Sequence, residues 1–239
     1  MTRWPAALLL ALPLLLGGCR AMLYTPHPHV IPLFEERGQL HVAAGLRHNA
    51  GIDLNLATSP LPHTFVFASW AQVQRDRFEQ RYAEAGGGLY VRLPARSTLE
   101  VLGGLSRGQS EGRGERALEA DGALPPFESF RYAAAYDRSY VQVNVGTRSG
   151  NGEITLGGAL RLSRVRFSDV ETEPDLSVSW VRGHYLEPAL VIRTRVNRFV
   201  DVEGQLGSSY SLGQQGWSSL FSRERRYGGL GVRLHVGRK

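Results

Sequence analysis

Residues 141–145 read VQVNV, so that Val141, Val143 and Val145 alternate with Gln142 and Asn144. Successive side chains of a β-strand point to opposite faces of its sheet, and this period of two therefore creates one apolar and one polar face. The β-branched valines also favour extended backbone. The stretch predicts a β-strand whose two faces lie in different surroundings.

The same alternation recurs along the chain from residue 38 onwards. It predicts further strands near residues 40–47, 52–56, 63–74, 89–93, 99–105, 153–162, 186–193, 200–206 and 229–236. No ten-residue helical pattern follows the first twenty residues. A meander of antiparallel strands removes its open edges most simply by closing into a barrel. We therefore expect an all-β fold, an antiparallel meander of about ten strands closed into a barrel over residues 38–239.

Two connections in this meander are of particular interest. Residues 107–129 are polar and rich in glycine, which predicts one long loop that proteases cleave first. Segments 198–213 and 225–237 are predicted to pair as the closing hairpin, with Glu203 near His235 and Arg233 one diagonal step away.

Alternation alone leaves open which face lines the inside of the barrel. In a membrane-spanning barrel the apolar face meets lipid, whereas in a soluble barrel it forms the core. The spanning arrangement is favoured because several strands exceed the roughly 9–11 residues that a crossing needs. Aromatic residues near strand ends would form an interfacial girdle: Tyr132, Trp180, Tyr210, Trp217 and Tyr227. Pro188 within a strand and a carboxyl terminus without an aromatic residue argue against it.

The polar face carries charges of both signs, which a narrow lumen would have to pair. We predict a charge network on this face made of Arg92, Glu100, Glu187, Arg193, Glu203 and Arg233.

The first nineteen residues have the layout of a secretory signal. Arg3 precedes an apolar run at 6–16, which is shorter than the roughly 20 residues of a membrane-spanning helix. The sequence LGGC at 16–19 then ends on Cys19, the only cysteine of the 239 residues. This segment resembles the lipobox of bacterial lipoproteins. The resemblance implies that residues 1–18 are a lipoprotein signal peptide and that Cys19 is acylated, for example with palmitate.

Residues 19–37 are predicted to be the acylated amino terminus followed by an extended, proline-rich tether. Pro26, Pro28 and Pro32 exclude a helix here. We expect His27 and His29 to be solvated linker residues, since no further metal ligands lie nearby in the sequence.

Three short segments carry a family resemblance. They are YTP at 24–26, PLF at 32–34 and DLNLATSPLPH at 53–63. They resemble segments of uncharacterised bacterial outer-membrane lipoproteins that have a barrel-like domain. The resemblance covers the first quarter of the chain well. It implies a lipid-anchored location at the outer membrane and no known activity.

Motifs for catalysis or cofactor binding are weak. The sequence GLSRG at 104–108 matches the G-x-S-x-G nucleophile elbow, but that motif needs a following helix and here a polar glycine-rich stretch follows Ser106. The glycine clusters at 86–88 and 228–231 open no helix, and His41, His184 and His235 lack metal-ligand spacing. We expect no catalysis, cofactor or metal.

The charge balance adds little about partners. The net charge of +6 is spread along the chain without a basic run, so no nucleic-acid partner is expected. The expected partner is membrane lipid, contacted through acylated Cys19 and the barrel exterior. The sequence thus predicts a lipid-anchored outer-membrane barrel with a structural or passive-transport role. The alternative is a soluble, lipid-tethered barrel that binds a small apolar ligand of unknown identity.

Overall fold

The computed structural model describes residues 21–48, 50–117, 127–174, 181–215, 221–223 and 226–236. These residues form thirteen strands: β1 (Ala21–Tyr24), β2 (Leu40–Arg47), β3 (Gly51–Thr58), β4 (Thr64–Arg75), β5 (Phe78–Leu93), β6 (Ser97–Ala117), β7 (Phe127–Arg148), β8 (Ile154–Glu173), β9 (Val181–Arg195), β10 (Val200–Ser208), β11 (Tyr210–Gln215), β12 (Phe221–Arg223) and β13 (Arg226–Val236). Within these ranges, no helix is long and apolar enough to cross a membrane.

Ten of the strands close into an antiparallel barrel. Each of β2 to β9 pairs with the next strand in the chain, and β13 joins β10 to β2. The predicted fold class is confirmed, and every predicted strand overlaps one of these ten. A closed ring leaves no open sheet edge among them, which is what a meander without covering helices requires.

The closing hairpin forms as predicted, but in a shifted register. Glu203 lies opposite Gly231, and Asp201 lies opposite Arg233. As a result Asp201 is the carboxylate that contacts His235, with 2.6 Å between Oδ2 and Nε2.

The long loop predicted at 107–129 is wrong over the part that the structure describes. β6 continues to Ala117 and β7 begins at Phe127, paired residue by residue, while residues 118–126 lie outside the described part. The glycines that suggested a loop are strand residues: Gly108 and Gly112 lie opposite Tyr136 and Tyr132.

The proline that argued against a strand sits at an interruption of the sheet. β9 pairs with β10 as far as Ala189 and with β11 from Leu186, so Pro188 lies where β9 changes partner. A residue without an N–H group is tolerated at such an irregularity.

Most of the segment that was predicted to be an extended tether lies inside the barrel. Residues 22–34, here called the luminal segment, run through the inside of the barrel, and Tyr24, Thr25 and Phe34 are fully buried there. β1, which leads into this segment, pairs in parallel with β12 rather than joining the barrel wall. The barrel therefore encloses a stretch of its own chain.

Candidate functional site: a barrel lumen filled by the amino-terminal segment

The apolar face of the barrel points outward. In the stretch VQVNV, Val141 is 59% exposed, Val143 45% and Val145 51%, whereas Gln142 and Asn144 are buried. Every barrel strand contributes residues of this kind, among them Leu46, Leu54, Val66, Leu89, Leu105, Leu160, Leu190, Leu206 and Leu230. We call this surface the apolar belt. An apolar surface that encircles the molecule is far larger than the patches that water-soluble monomers expose.

Charged residues limit the belt on both sides. On the long strands, exposed Arg107, Asp137 and Arg164 lie just beyond the outward apolar residues of their strands. At the opposite rim, exposed Arg96, Glu153 and Arg198 lie in or beside the turns. On β8 the belt runs from Ile154 to Leu162, a length typical of a tilted membrane-crossing strand.

Two of the residues predicted to form an aromatic girdle on the outer surface do not lie there. Tyr132 and Tyr227 are buried inside the barrel. Tyr210 is 58% exposed on the outer surface. Trp180 and Trp217 lie outside the described residues. The sequence positions near strand ends were right, but the alternation directs these two tyrosines inward.

Two glutamines hold the luminal segment as a neighbouring strand would. Gln80 accepts from the backbone N–H of Thr25 at 2.8 Å and donates to its carbonyl at 3.1 Å. Gln205 makes the same pair of bonds to His29, at 3.2 and 3.1 Å. Each primary amide offers one acceptor and two donors, so it can satisfy both backbone groups of one residue.

Arginines bind the carbonyl oxygens of the same segment. Arg47 donates to Pro26 at 2.6 Å, and Arg161 donates to His27 at 3.3 Å and to Pro28 at 3.2 Å. Arg193 and Arg233 both donate to the carbonyls of Ile31 and Pro32. Since proline has no N–H, a proline-rich segment presents more acceptors than donors, and a lumen rich in guanidinium groups satisfies that excess.

The polar residues of the VQVNV strand complete this binding. The side-chain amides of Gln142 and Asn144 donate to the carbonyl of Val30 at 2.8 and 3.1 Å. Asn144 also donates to Glu100 at 2.8 Å, and Glu100 accepts from the backbone N–H of Phe34 at 2.8 Å. The polar face of this strand thus binds the segment while its valines face outward.

The residues predicted as one charge network fall into separate groups. Glu203 accepts from Arg193 at 2.5 Å and from Arg233 at 2.7 Å. Glu187 instead pairs with Arg138 at 3.1 Å, and Glu100 contacts the luminal segment. Arg92 is exposed at the rim of the barrel and belongs to neither group.

Several luminal residues were missed in the sequence. Arg138 and Arg161 are fully buried, and Arg138 bridges Glu187 to Glu84, 3.4 Å away on the other side. They follow the same alternation as the predicted residues, so the period of two would have placed them on the polar face as well. Their partners on the luminal segment carry no comparable sequence signal.

The two histidines expected in solvent are buried inside the barrel. The ring of His27 stacks on Tyr82 with 3.3 Å between centroids, and its Nε2 lies 2.9 Å from the hydroxyl of Tyr136. His29 contacts the carbonyl of Glu187 at 2.8 Å and the hydroxyl of Tyr227. Both rings fill luminal volume and bond to the wall.

The G-x-S-x-G match has a packing explanation. Gly104 and Gly108 lie opposite Tyr140 and Tyr136, and a Cβ at either glycine would overlap the facing tyrosine ring. Gly112 faces Tyr132 in the same way. The four-residue spacing of glycines on β6 thus matches the four-residue spacing of tyrosines on β7.

Ser106 does not belong to a catalytic triad. Its Oγ lies 3.5 Å from Nδ1 of His27, and Glu84 lies 3.4 Å from the same ring nitrogen. A triad needs serine and acid on different nitrogens of the ring. All three side chains are also buried inside the barrel.

Within the described part of the chain, no group of three His, Cys, Asp or Glu residues is placed so that it could hold a metal ion. His41 and His235 lie edge to face with 4.7 Å between ring centroids, and His184 is exposed on the outer surface. A cleft of about 670 Å³ opens at the end of the long strands and is lined by charges of both signs, including Arg75, Glu79 and Arg131.

Solved structures of bacterial barrels are similar to this chain. The translocator domain of the autotransporter NalP from Neisseria meningitidis matches with 12% identity and a TM-score of 0.47, over 82% of this chain and 85% of that one. The KdgM porin matches with 10% identity and a TM-score of 0.40, over 83% of this chain and 99% of that one. No protein-family model matches the sequence, and no curated protein matches it.

Proposed function

We propose that this protein is an outer-membrane β-barrel, anchored in addition by an acyl group on Cys19, whose lumen is occupied by its own amino-terminal segment. Its role is structural rather than that of an open pore. The observation that carries this proposal is the combination of an apolar belt outside and a hydrogen-bonded segment inside.

The belt supports a membrane location. A spanning sheet must satisfy all its backbone groups internally, and a closed barrel does so. Bacterial barrels of this type combine an outward apolar band with a polar interior, as found here. In the soluble alternative the two faces would be reversed, with Val141, Leu160 and Leu190 in the core. The exposed positions of these residues argue against that alternative.

The luminal segment argues against unassisted passive transport. Backbone groups of residues 25–34 are bonded to wall residues from at least five strands, and Gly146 has no side chain where Leu33 packs. A solute could pass through the lumen only after this segment had left it. Passive transport therefore requires displacement of the segment.

Acylation at Cys19 rests on the lipobox and on the absence of any other cysteine. A lone thiol in an oxidising compartment is reactive unless it is modified. Replacing the thiol with Cys19→Ser should abolish labelling by radioactive palmitate and leave the signal peptide uncleaved. The proposed lipid anchor would be contradicted if the signal peptide of this variant were cleaved normally and the wild-type protein took up no palmitate.

Ion conductance tests the occupied lumen. Refolded wild-type protein that floats with liposomes and shows heat-modifiable gel mobility should give no stepwise conductance in planar bilayers. A variant that lacks residues 22–34 keeps all ten barrel strands, and we expect it to conduct once its heat-modifiable mobility shows a folded barrel. Steady conductance by the wild type would overturn the structural role.

A further inference from the structure

The barrel has two different ends. One end, here called the short-turn end, carries the connections at 59–63, 94–96, 149–153 and 196–199, and β13 finishes there. At the other, long-strand end, β6 continues past Arg107 to Ala117, and β7 enters from Phe127. In the described barrel, therefore, the strands project beyond the apolar belt only at the long-strand end.

The luminal segment begins at the long-strand end. Leu23 and Tyr24 are fully buried in a cluster with Val73, Phe78 and Val181, which lie at the far ends of their strands. β1 pairs with β12, which belongs to the connection between β11 and β13 at this end. The chain thus enters the barrel among the projecting strands.

The segment leaves the barrel at the short-turn end. Leu33 packs beside Gly146 and Gly157, and Phe34 packs with Tyr90, all close to the short turns. Directly after them, Glu35 pairs with Arg148 at 2.6 Å. The ten residue-to-residue steps from Leu23 to Leu33 reach about 33 Å when extended, which is enough to cross the barrel.

We infer that the chain threads its own barrel, so that the mature amino terminus lies at the long-strand end and faces the outside of the cell. Cys19 precedes Ala21 by two residues, which span at most about 7 Å, so it cannot return to the opposite end. In outer-membrane barrels the short turns face the periplasm and the longer connections face outward.

This inference deepens the proposed function, because it assigns a side of the membrane to the acyl group proposed at Cys19. The acyl chains would enter the outer leaflet beside the projecting strands. Two attachments would then meet at the outer end of the barrel: the acyl group would bind the membrane, and the luminal segment would bind the barrel wall. The carboxyl-terminal end of β13 would lie on the periplasmic side.

Surface labelling tests the inference. An epitope is inserted between Arg20 and Ala21 in one variant and after Gly150, in the β7–β8 turn, in a matched control. In intact bacteria an antibody should stain the first variant fully, whereas the control should gain its signal only after the outer membrane is permeabilised. Palmitate labelling and heat-modifiable mobility are measured on the same cells.

Cysteine substitutions provide a second, smaller change. Cys19 is the only native cysteine and its thiol would be acylated, so Arg20→Cys and Gly150→Cys each introduce one reactive thiol. A membrane-impermeant maleimide should label position 20 in intact cells and position 150 only after permeabilisation.

The outcomes separate the two proposals. An acylated, heat-modifiable protein whose position 20 is labelled only after permeabilisation would overturn the threading and leave the proposed function intact. Surface labelling of position 20 without palmitate incorporation would support the threading and contradict the lipid anchor.

Discussion

Arg233 and Arg193 share a single carboxylate oxygen inside the lumen. Oε2 of Glu203 accepts from Arg233 Nη2 at 2.7 Å and from Arg193 Nε at 2.5 Å, and the side chains of both arginines are less than a tenth exposed. Both arginines also donate to the luminal segment at Ile31 and Pro32. Glu203 therefore compensates the two cations that hold the end of that segment.

Removing this carboxylate should destabilise the barrel more than removing either cation. Glu203→Ala leaves two buried guanidinium groups without compensation, at a cost of about 3–5 kcal/mol. Arg233→Ala leaves Glu203 paired with Arg193 and should cost less. Urea unfolding in detergent micelles measures both, with exposed Glu153→Ala as the control. Near-neutral effects of Glu203→Ala would mean that water reaches this face of the barrel.

Gln80 gives a test of the bonds to the luminal segment. Gln80→Leu keeps the side-chain volume but leaves the N–H and carbonyl of Thr25 without their partner, and each such buried group costs about 1–3 kcal/mol. Gln109→Leu changes an exposed glutamine on β6 and should be nearly neutral in the same urea unfolding experiment. Equal effects of the two changes would argue that residue 25 is not bound inside the barrel.

The glycine–tyrosine pairing predicts that one methyl group disrupts the wall. In Gly108→Ala the new Cβ would overlap the ring of Tyr136, whose hydroxyl bonds to His27 and Gln80. Overpacking of this kind costs about 1–3 kcal/mol. Gly158→Ala on the outer face meets only ordinary contacts and serves as the control. If thermal unfolding shifted equally for both variants, the tyrosine would not lie over Gly108.

The apolar belt predicts that the effect of a charge depends on its position. Val143→Arg places a cation in the middle of the belt and should destabilise the barrel in lipid by about 2–4 kcal/mol. Gln109→Arg, on the outer face beyond Arg107, should have little effect. Folding equilibria in lipid vesicles compare the two. A harmless Val143→Arg would show that water rather than lipid surrounds the belt.

The ring of ten strands followed from the sequence because the period of two is local. In β7, for example, the strand is predicted by the alternating valines Val141, Val143 and Val145. The same period places Gln142 and Asn144 on its opposite face. The loop at 107–129 was mispredicted because glycine usually interrupts strands. Here Gly108 and Gly112 are required by the tyrosines that face them on β7, which is a property of two strands together.

The luminal segment could not be predicted from local pattern. Pro26, Pro28 and Pro32 exclude helix and strand but do not say whether water or protein satisfies the carbonyl groups around them. Their partners, such as Arg47, Arg161 and Arg233, lie far along the chain. A surplus of inward-facing cations and amides was visible on the polar face, but nothing in the sequence connected that surplus to residues 22–34.

The account depends on the amino-terminal segment lying inside the barrel, and the contact between His27 and Tyr82 tests this most directly. Their rings are stacked with 3.3 Å between centroids. In protein refolded into lipid nanodiscs, nuclear magnetic resonance should detect a strong nuclear Overhauser effect between the ring protons of these two residues, together with slow exchange of the Thr25 amide. The account would be contradicted if the Thr25 amide exchanged freely and if the His27 ring gave narrow, solvent-exposed signals with no nuclear Overhauser effect to Tyr82.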